Sequence, residues 1–202
     1  MKDAVAMKSS EPLPGRWTTR DVMVALAISI AMTIAFVPLN SIQTALFAIS
    51  PVFGWAMGGL FRIPRVFIGY VIRKPGAILL FGLIVGLGAT VASGSGLFAL
   101  LAALVDGLMG EAAAWIATRY RRFRDRDIAL SSVLHAIFVI IVAGIIFRSL
   151  FIEWPLAIAA AASAMITYVV GGLLATRLAV LIARTGVLRS TAFGATLGGD
   201  EI

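Results

Sequence analysis

Long apolar stretches separated by short polar links recur along the chain, and no stretch alternates apolar and polar positions in the manner of a barrel strand. A hydrocarbon core of about 30 Å takes about 20 helical residues to cross. The pattern predicts helices over about Thr18–Val37, Pro51–Ile72, Ala77–Ala92, Leu97–Thr118, Ile128–Phe147 and Pro155–Ile182. That is an all-α integral membrane protein, a bundle of six transmembrane helices. The first helix is expected to stop at Pro38, where proline followed by Asn40 favours leaving the helix, with a neutral loop from Pro38 to Ser50. Arg62, Pro64 and Arg65 interrupt the second, and Arg73-Lys74-Pro75-Gly76 closes it as a turn. Ser93-Gly94-Ser95-Gly96 joins the third and fourth as a hairpin, and Arg119 to Asp127 is the longest hydrophilic link. One membrane domain, 18–183, is flanked by a polar segment, 1–17, and a glycine-rich tail, 184–202, expected to be mobile.

Composition agrees with the pattern. With 60% apolar and 13% charged residues the chain has too little polar surface to cover a water-soluble domain. The absence of cysteine excludes disulfides, thiolate metal sites and cysteine nucleophiles. The polar start, Met1 to Arg20, lacks the cleavage pattern of a removable signal peptide, so the first helix is expected to serve as its own insertion signal.

A formal charge of +7 raises the question of nucleic acid, but the basic residues sit between the apolar stretches, which argues for a bilayer and no nucleic-acid partner. With both termini cytoplasmic, Lys2, Lys8, Arg16, Arg20, Arg73, Lys74, the five arginines from Arg119 to Arg126, Arg177, Arg184 and Arg189 fall inside, and only Arg148 is clearly outside. That orientation is the expectation. The Arg119–Arg126 cluster reads as a topology signal with headgroup contact, or as a dock for a soluble partner.

Charged groups within spans cost about 2.5–3.5 kcal/mol each on insertion scales, which makes Asp106, Glu111, His135, Arg62 and Arg65 the pointers to function. From Leu97, Asp106 lies about 14 Å and Glu111 about 21 Å along the helix, roughly 140° apart around its axis. The two carboxylates are therefore expected to have different jobs: Asp106, near mid-membrane, in a ligand network, and Glu111 either paired with His135 on the neighbouring helix or on the ligand. Arg62 and Arg65 are read as a kinked, partly cytoplasm-facing end of the second helix; with either arginine facing the cavity instead, an anionic ligand becomes reasonable. Asn40, Gln43 and Trp55 are candidates for holding a flat polar ligand from the outer side, with an interfacial aromatic anchor as the alternative for Trp55. Ala27, Ala31 and Ala35 put a smooth stripe on the first helix, suited to internal packing or to a partner helix. No catalytic residue, metal site or cofactor is expected.

The run Tyr70-Val71-Ile72-Arg73-Lys74-Pro75-Gly76-Ala77, followed by an apolar helix and by Asp106-Gly107-Leu108-Met109-Gly110-Glu111, resembles the YkoE-type thiamine/hydroxymethylpyrimidine S components of energy-coupling-factor (ECF) vitamin transporters. The resemblance covers roughly Pro51 to Trp115 at motif level. It implies an S-component-like bundle in the bacterial cell membrane that captures a vitamin-like small molecule and pairs with a T component and two ATPase subunits. The alanine stripe is similar to the one by which S components dock on the T component. No Gly-x-x-x-x-Gly-Lys-Ser/Thr loop is present to bind nucleotide, so energy must come from partners if transport is active. Asp106 stands where the family tends to have a neutral amide. Two alternatives are a membrane-embedded phosphotransferase, whose aspartate motif Asp106-Gly107 only partly matches, and a ligand-free accessory subunit.

Overall fold

The computed structural model describes residues 17–92, 96–146, 153–186, 188, 191 and 193, with backbone alone at 36 and 37. Among them are seven helices and no strand: α1 (Thr19–Ile49), α2 (Pro51–Ala56), α3 (Gly58–Ile72), α4 (Ala77–Ala92), α5 (Leu97–Thr118), α6 (Asp125–Ile146) and α7 (Trp154–Arg184). By length and composition α5, α6 and α7 can each cross a membrane, and α1 makes a fourth span if its two arms count as one, against the six expected. The difference lies in α4, an apolar helix of 16 residues, and in the Pro51–Ile72 stretch, which breaks at Met57 into α2 and α3. Arg148 and most of the Ser93–Gly96 turn lie outside the described residues.

Pro38 does not end the first helix. Its two arms, Thr19–Ala35 and Pro38–Ile49, meet at 47°, and the helix continues to Ser50, whose side chain then caps α2. Backbone groups in apolar surroundings must be satisfied by their own chain, so a bend that forfeits one bond costs less than an open loop. The expected loop from Pro38 to Ser50 is therefore a helical arm, and Asn40 and Gln43 ride on it. Pro64 likewise sits inside α3 without ending it.

The helices close into a ring. α1 lies against α4 and α2, α4 against α5, α5 against α6, α6 against α7, and α7 against α2 and α3. α3, most of whose residues are buried, also packs on α4 and α1 and fills the interior. Large apolar side chains such as Ile34, Val91, Ile145 and Ile166 are exposed around the outside, which suits lipid rather than water. Two crossings are close because glycines face each other. A Cβ at Gly82 of α4 would come within 2.8 Å of the Ala103 carbonyl oxygen on α5, and one at Gly59 or Gly171 would strike the opposing backbone of α7 or α3.

The Arg73–Gly76 turn gathers both ends of the described chain. Thr18 and Asp21 form a capping box at the start of α1, and Lys74 Nζ donates to Asp21 Oδ2 at 2.5 Å. Trp17 Nε1 donates to the Pro75 carbonyl at 2.9 Å. The Arg73 guanidinium lies 5.1–5.2 Å from the rings of Tyr70, Phe123 and Phe193. Leu188, Thr191 and Phe193 are buried, so the tail expected to be mobile from residue 184 is packed at these positions. An aromatic side chain that covers a guanidinium and a tyrosine removes more apolar surface from water than a free tail would.

Candidate ligand-binding site

Arg62 and Arg65 are one helical turn apart on α3 and point into the bundle, not toward an aqueous end as the sequence suggests. The Arg62 side chain is 1% exposed. It donates from Nη2 to Ser131 Oγ at 2.8 Å and from Nε toward Ser132 Oγ at 3.5 Å, and its Nη1 lies 2.7 Å from His135 Nδ1. Guanidinium nitrogens only donate, so Nδ1 accepts and the proton of a neutral imidazole sits on Nε2. Nε2 then donates to Asp106 Oδ1 at 3.0 Å. On the other side of Asp106, Arg65 forms an ion pair with Oδ2 and donates from Nη1 to the Phe61 carbonyl at 2.6 Å. Tyr168 of α7 meets His135 edge to face at 5.3 Å. The result is a chain of side chains, Arg62 to His135 to Asp106 to Arg65, drawn from α3, α5 and α6. Asp106 and His135 each lie about 14–15 Å from the start of their helices, which is mid-membrane depth.

The expected Glu111–His135 pair does not form. His135 instead meets Asp106, five residues nearer the start of α5 than Glu111 and on a different face of that helix. Glu111, on the other side of α5, accepts from the backbone N–H groups of Gly76 at 2.5 Å, Ile78 at 3.1 Å and Leu79 at 3.3 Å, and from the Tyr120 hydroxyl. It therefore caps the N-terminus of α4, where unpaired N–H groups and the helix dipole favour a carboxylate. Gly76 reaches this position with a φ of +88°, which a side chain would strain. Burial, and next the neighbouring Glu111, push the Tyr120 hydroxyl above its ordinary pKa, so it stays protonated and donating. Glu111→Gln is expected to cost about 1.5–3 kcal/mol of stability and to leave ligand affinity within about twofold, by thermal unfolding and titration side by side. A variant of unchanged stability that loses the ligand would return Glu111 to the ligand site.

The outer candidates form a separate group. Gln43 Nε2 donates to the Gly54 carbonyl at 3.1 Å, tying the outer arm of α1 to α2. Trp55 meets Phe47 edge to face at 5.7 Å, and Asn40 is exposed. Among the described residues no hydrogen bond, ion pair or ring contact joins these three to the Asp106 cluster. Ala27, Ala31 and Ala35 are all exposed on the outside of the ring.

The inward direction of both arginines is the alternative reading of the sequence, not the preferred one, and sequence reasoning missed the part played by Ser131, Ser132 and Tyr168. The signal was present in the spacing: Arg62 with Arg65, and Ser131 and Ser132 with His135, are three or four apart and so share a helix face. Among the described residues no three of His, Cys, Asp and Glu converge as metal ligands would.

The ring of apolar helices has a counterpart among solved structures. A crystal structure described as an S-component of an ECF transporter superposes with a TM-score of 0.82 over 91% of this chain and 94% of that one, at 24% identity. The chain thus has the S-component fold. Residues 20–138, more than half of the sequence, match the family described as ABC-type cobalt transport system, permease component, and the chain belongs to that family. No curated protein matches it.

Proposed function

We propose that this protein is the substrate-capturing subunit of an ECF-type importer of the bacterial cell membrane, holding a small organic molecule for uptake driven by a T component and two ATPase subunits. The observation that carries the reading is the S-component fold closed around the Asp106 cluster. A mid-membrane carboxylate held by an arginine and an imidazole is costly to keep there and suits a polar ligand. Thiamine or its hydroxymethylpyrimidine precursor is the ligand we favour, on the turn and α5 motifs that resemble the thiamine-type S components. An aminopyrimidine offers N–H donors that a carboxylate meets with charge-assisted hydrogen bonds.

The family's description favours a second reading, cobalt as the cargo. The donor set of the cluster speaks against a divalent cation at this place. Among the described residues one carboxylate and one imidazole are the ligand types there, and two guanidiniums face them and would repel the metal. The N-terminal capping box and Phe193 sit at the same end of the bundle, which agrees with both termini on one side and, by the lysine and arginine count, with that side being cytoplasmic.

Native mass spectrometry of the mildly purified protein is expected to reveal a co-purified organic ligand, and titration to give binding by thiamine or hydroxymethylpyrimidine and none by Co²⁺. The reverse result would establish cobalt as the cargo. Cells expressing this chain should accumulate the ligand only when ATPase partners are present. Accumulation against a gradient in vesicles holding this protein alone would make it a secondary transporter.

A further inference from the structure

The buried cluster carries more positive than negative charge. Arg62 and Arg65 are both cations, Asp106 is one anion, and the Arg62–His135 contact keeps the imidazole neutral because its Nδ1 must accept. Tyr168, the remaining titratable group against the cluster among the described residues, is a neutral phenol, and Glu111 is turned away onto the N-terminus of α4. Two cations against one anion leave a positive charge without a partner at mid-membrane depth. An uncompensated buried charge is strongly unfavourable, far more so than a paired one.

The donors show where a compensating group would sit. Among the described residues the Arg65 Nε is buried with no hydrogen-bond acceptor. Arg65 otherwise reaches Phe61 and Asp106 through its two Nη atoms, and its guanidinium lies 6.0 Å from the ring of Phe81. Access points to the same residue, though not through the buried Nε itself. The side chains of Arg65 and Asp106 are 13% and 22% exposed, whereas those of Arg62 and His135 are closed off behind them. A ligand therefore meets the cluster at the Arg65–Asp106 pair.

From this arrangement we infer that the ligand carries an oxyanion, a phosphate or a carboxylate, which Arg65 binds while Asp106 accepts from N–H donors of the same molecule. Applied to the thiamine-type reading above, on which this part rests, the inference assigns the site to a phosphorylated form of the vitamin or precursor in preference to the free form. The planar guanidinium matches either oxyanion through paired N–H donors, so both sources share one chemistry.

Thermal unfolding of the purified full chain in inorganic phosphate, in acetate and in chloride at matched ionic strength tests the charge argument without any vitamin. One of the two oxyanions at about 10 mM is expected to raise the midpoint by roughly 2–4 °C over chloride in the wild type. The gain is expected to vanish in Arg65→Gln and to survive in part in Arg65→Lys, which keeps the charge but loses the fork. Whichever anion stabilises identifies the source. Titration is expected to show thiamine monophosphate binding at least about tenfold more tightly than thiamine, a preference that falls below about threefold in Arg65→Gln. No stabilisation of the wild type by either anion, or an equal gain in Arg65→Gln, overturns the inference. Should Arg65→Gln fail to fold, the wild-type anion comparison and Arg65→Lys still decide it. Anion stabilisation that depends on Arg65, with neither thiamine compound binding, would uphold the oxyanion site and remove thiamine as the substrate.

Discussion

Asp106→Asn is expected to destabilise the protein by about 3–5 kcal/mol and to weaken thiamine or hydroxymethylpyrimidine binding by about 1.5–3 kcal/mol, roughly 10- to 150-fold. The amide keeps the shape of the carboxylate and one acceptor oxygen for His135 Nε2, so what disappears is charge. Arg62 and Arg65 then stand in the membrane interior with no anion between them, and the residue that links α5 to both α3 and α6 no longer holds either strongly. Thermal unfolding in detergent measures the first effect and calorimetric titration the second. An Asp106→Asn variant as stable as the wild type would show that the cluster is not held by its carboxylate. Unchanged affinity together with lost stability would make Asp106 a structural residue and move the ligand elsewhere.

Ala31→Trp is expected to abolish assembly with the T component and its ATPases while leaving ligand affinity within about twofold. Ala27, Ala31 and Ala35 are exposed on the outer face of α1. A partner helix drawn close to that smooth stripe would be held off by an indole, and in lipid, where close packing supplies much of the attraction between helices, distance is costly. Co-purification of tagged partner subunits with the wild type, Ala31→Leu and Ala31→Trp chains reads the effect directly. Normal complexes with both variants would remove the stripe from the docking mechanism and leave it as lipid-facing surface.

The helices are largely legible in the sequence because each backbone in lipid must satisfy its own hydrogen bonds, and a local apolar stretch is enough to say where that happens. α4 and α5 run over the predicted residues, and α7 differs by only a residue or two at each end. The misreadings come at Pro38, expected to end the first helix, and at Met57, where an expected single helix divides into α2 and α3. Pro38 is a helix breaker by local propensity, yet it lies inside α1 as Pro64 lies inside α3, since the surroundings penalise an open backbone more than a bend.

Depth and rotation along a single helix also follow from the sequence. Asp106 and Glu111 are expected on different faces, and they meet different partners: one lies in the interior chain of charges, the other on the α4 N-terminus, a role not foreseen for it. Which groups they meet is decided only in three dimensions. The packing of α6 on α5 brings His135 to Asp106 and not to Glu111, and the packing of α3 inside the ring turns Arg62 and Arg65 from an aqueous end to the centre. The sequence by itself thus determined that this is an apolar helical bundle with a few costly charges and an alanine-lined first helix. The pairing of those charges rests on the register between helices distant in sequence, which no local pattern encodes, and so only the tertiary structure places two arginines, one histidine and one aspartate together.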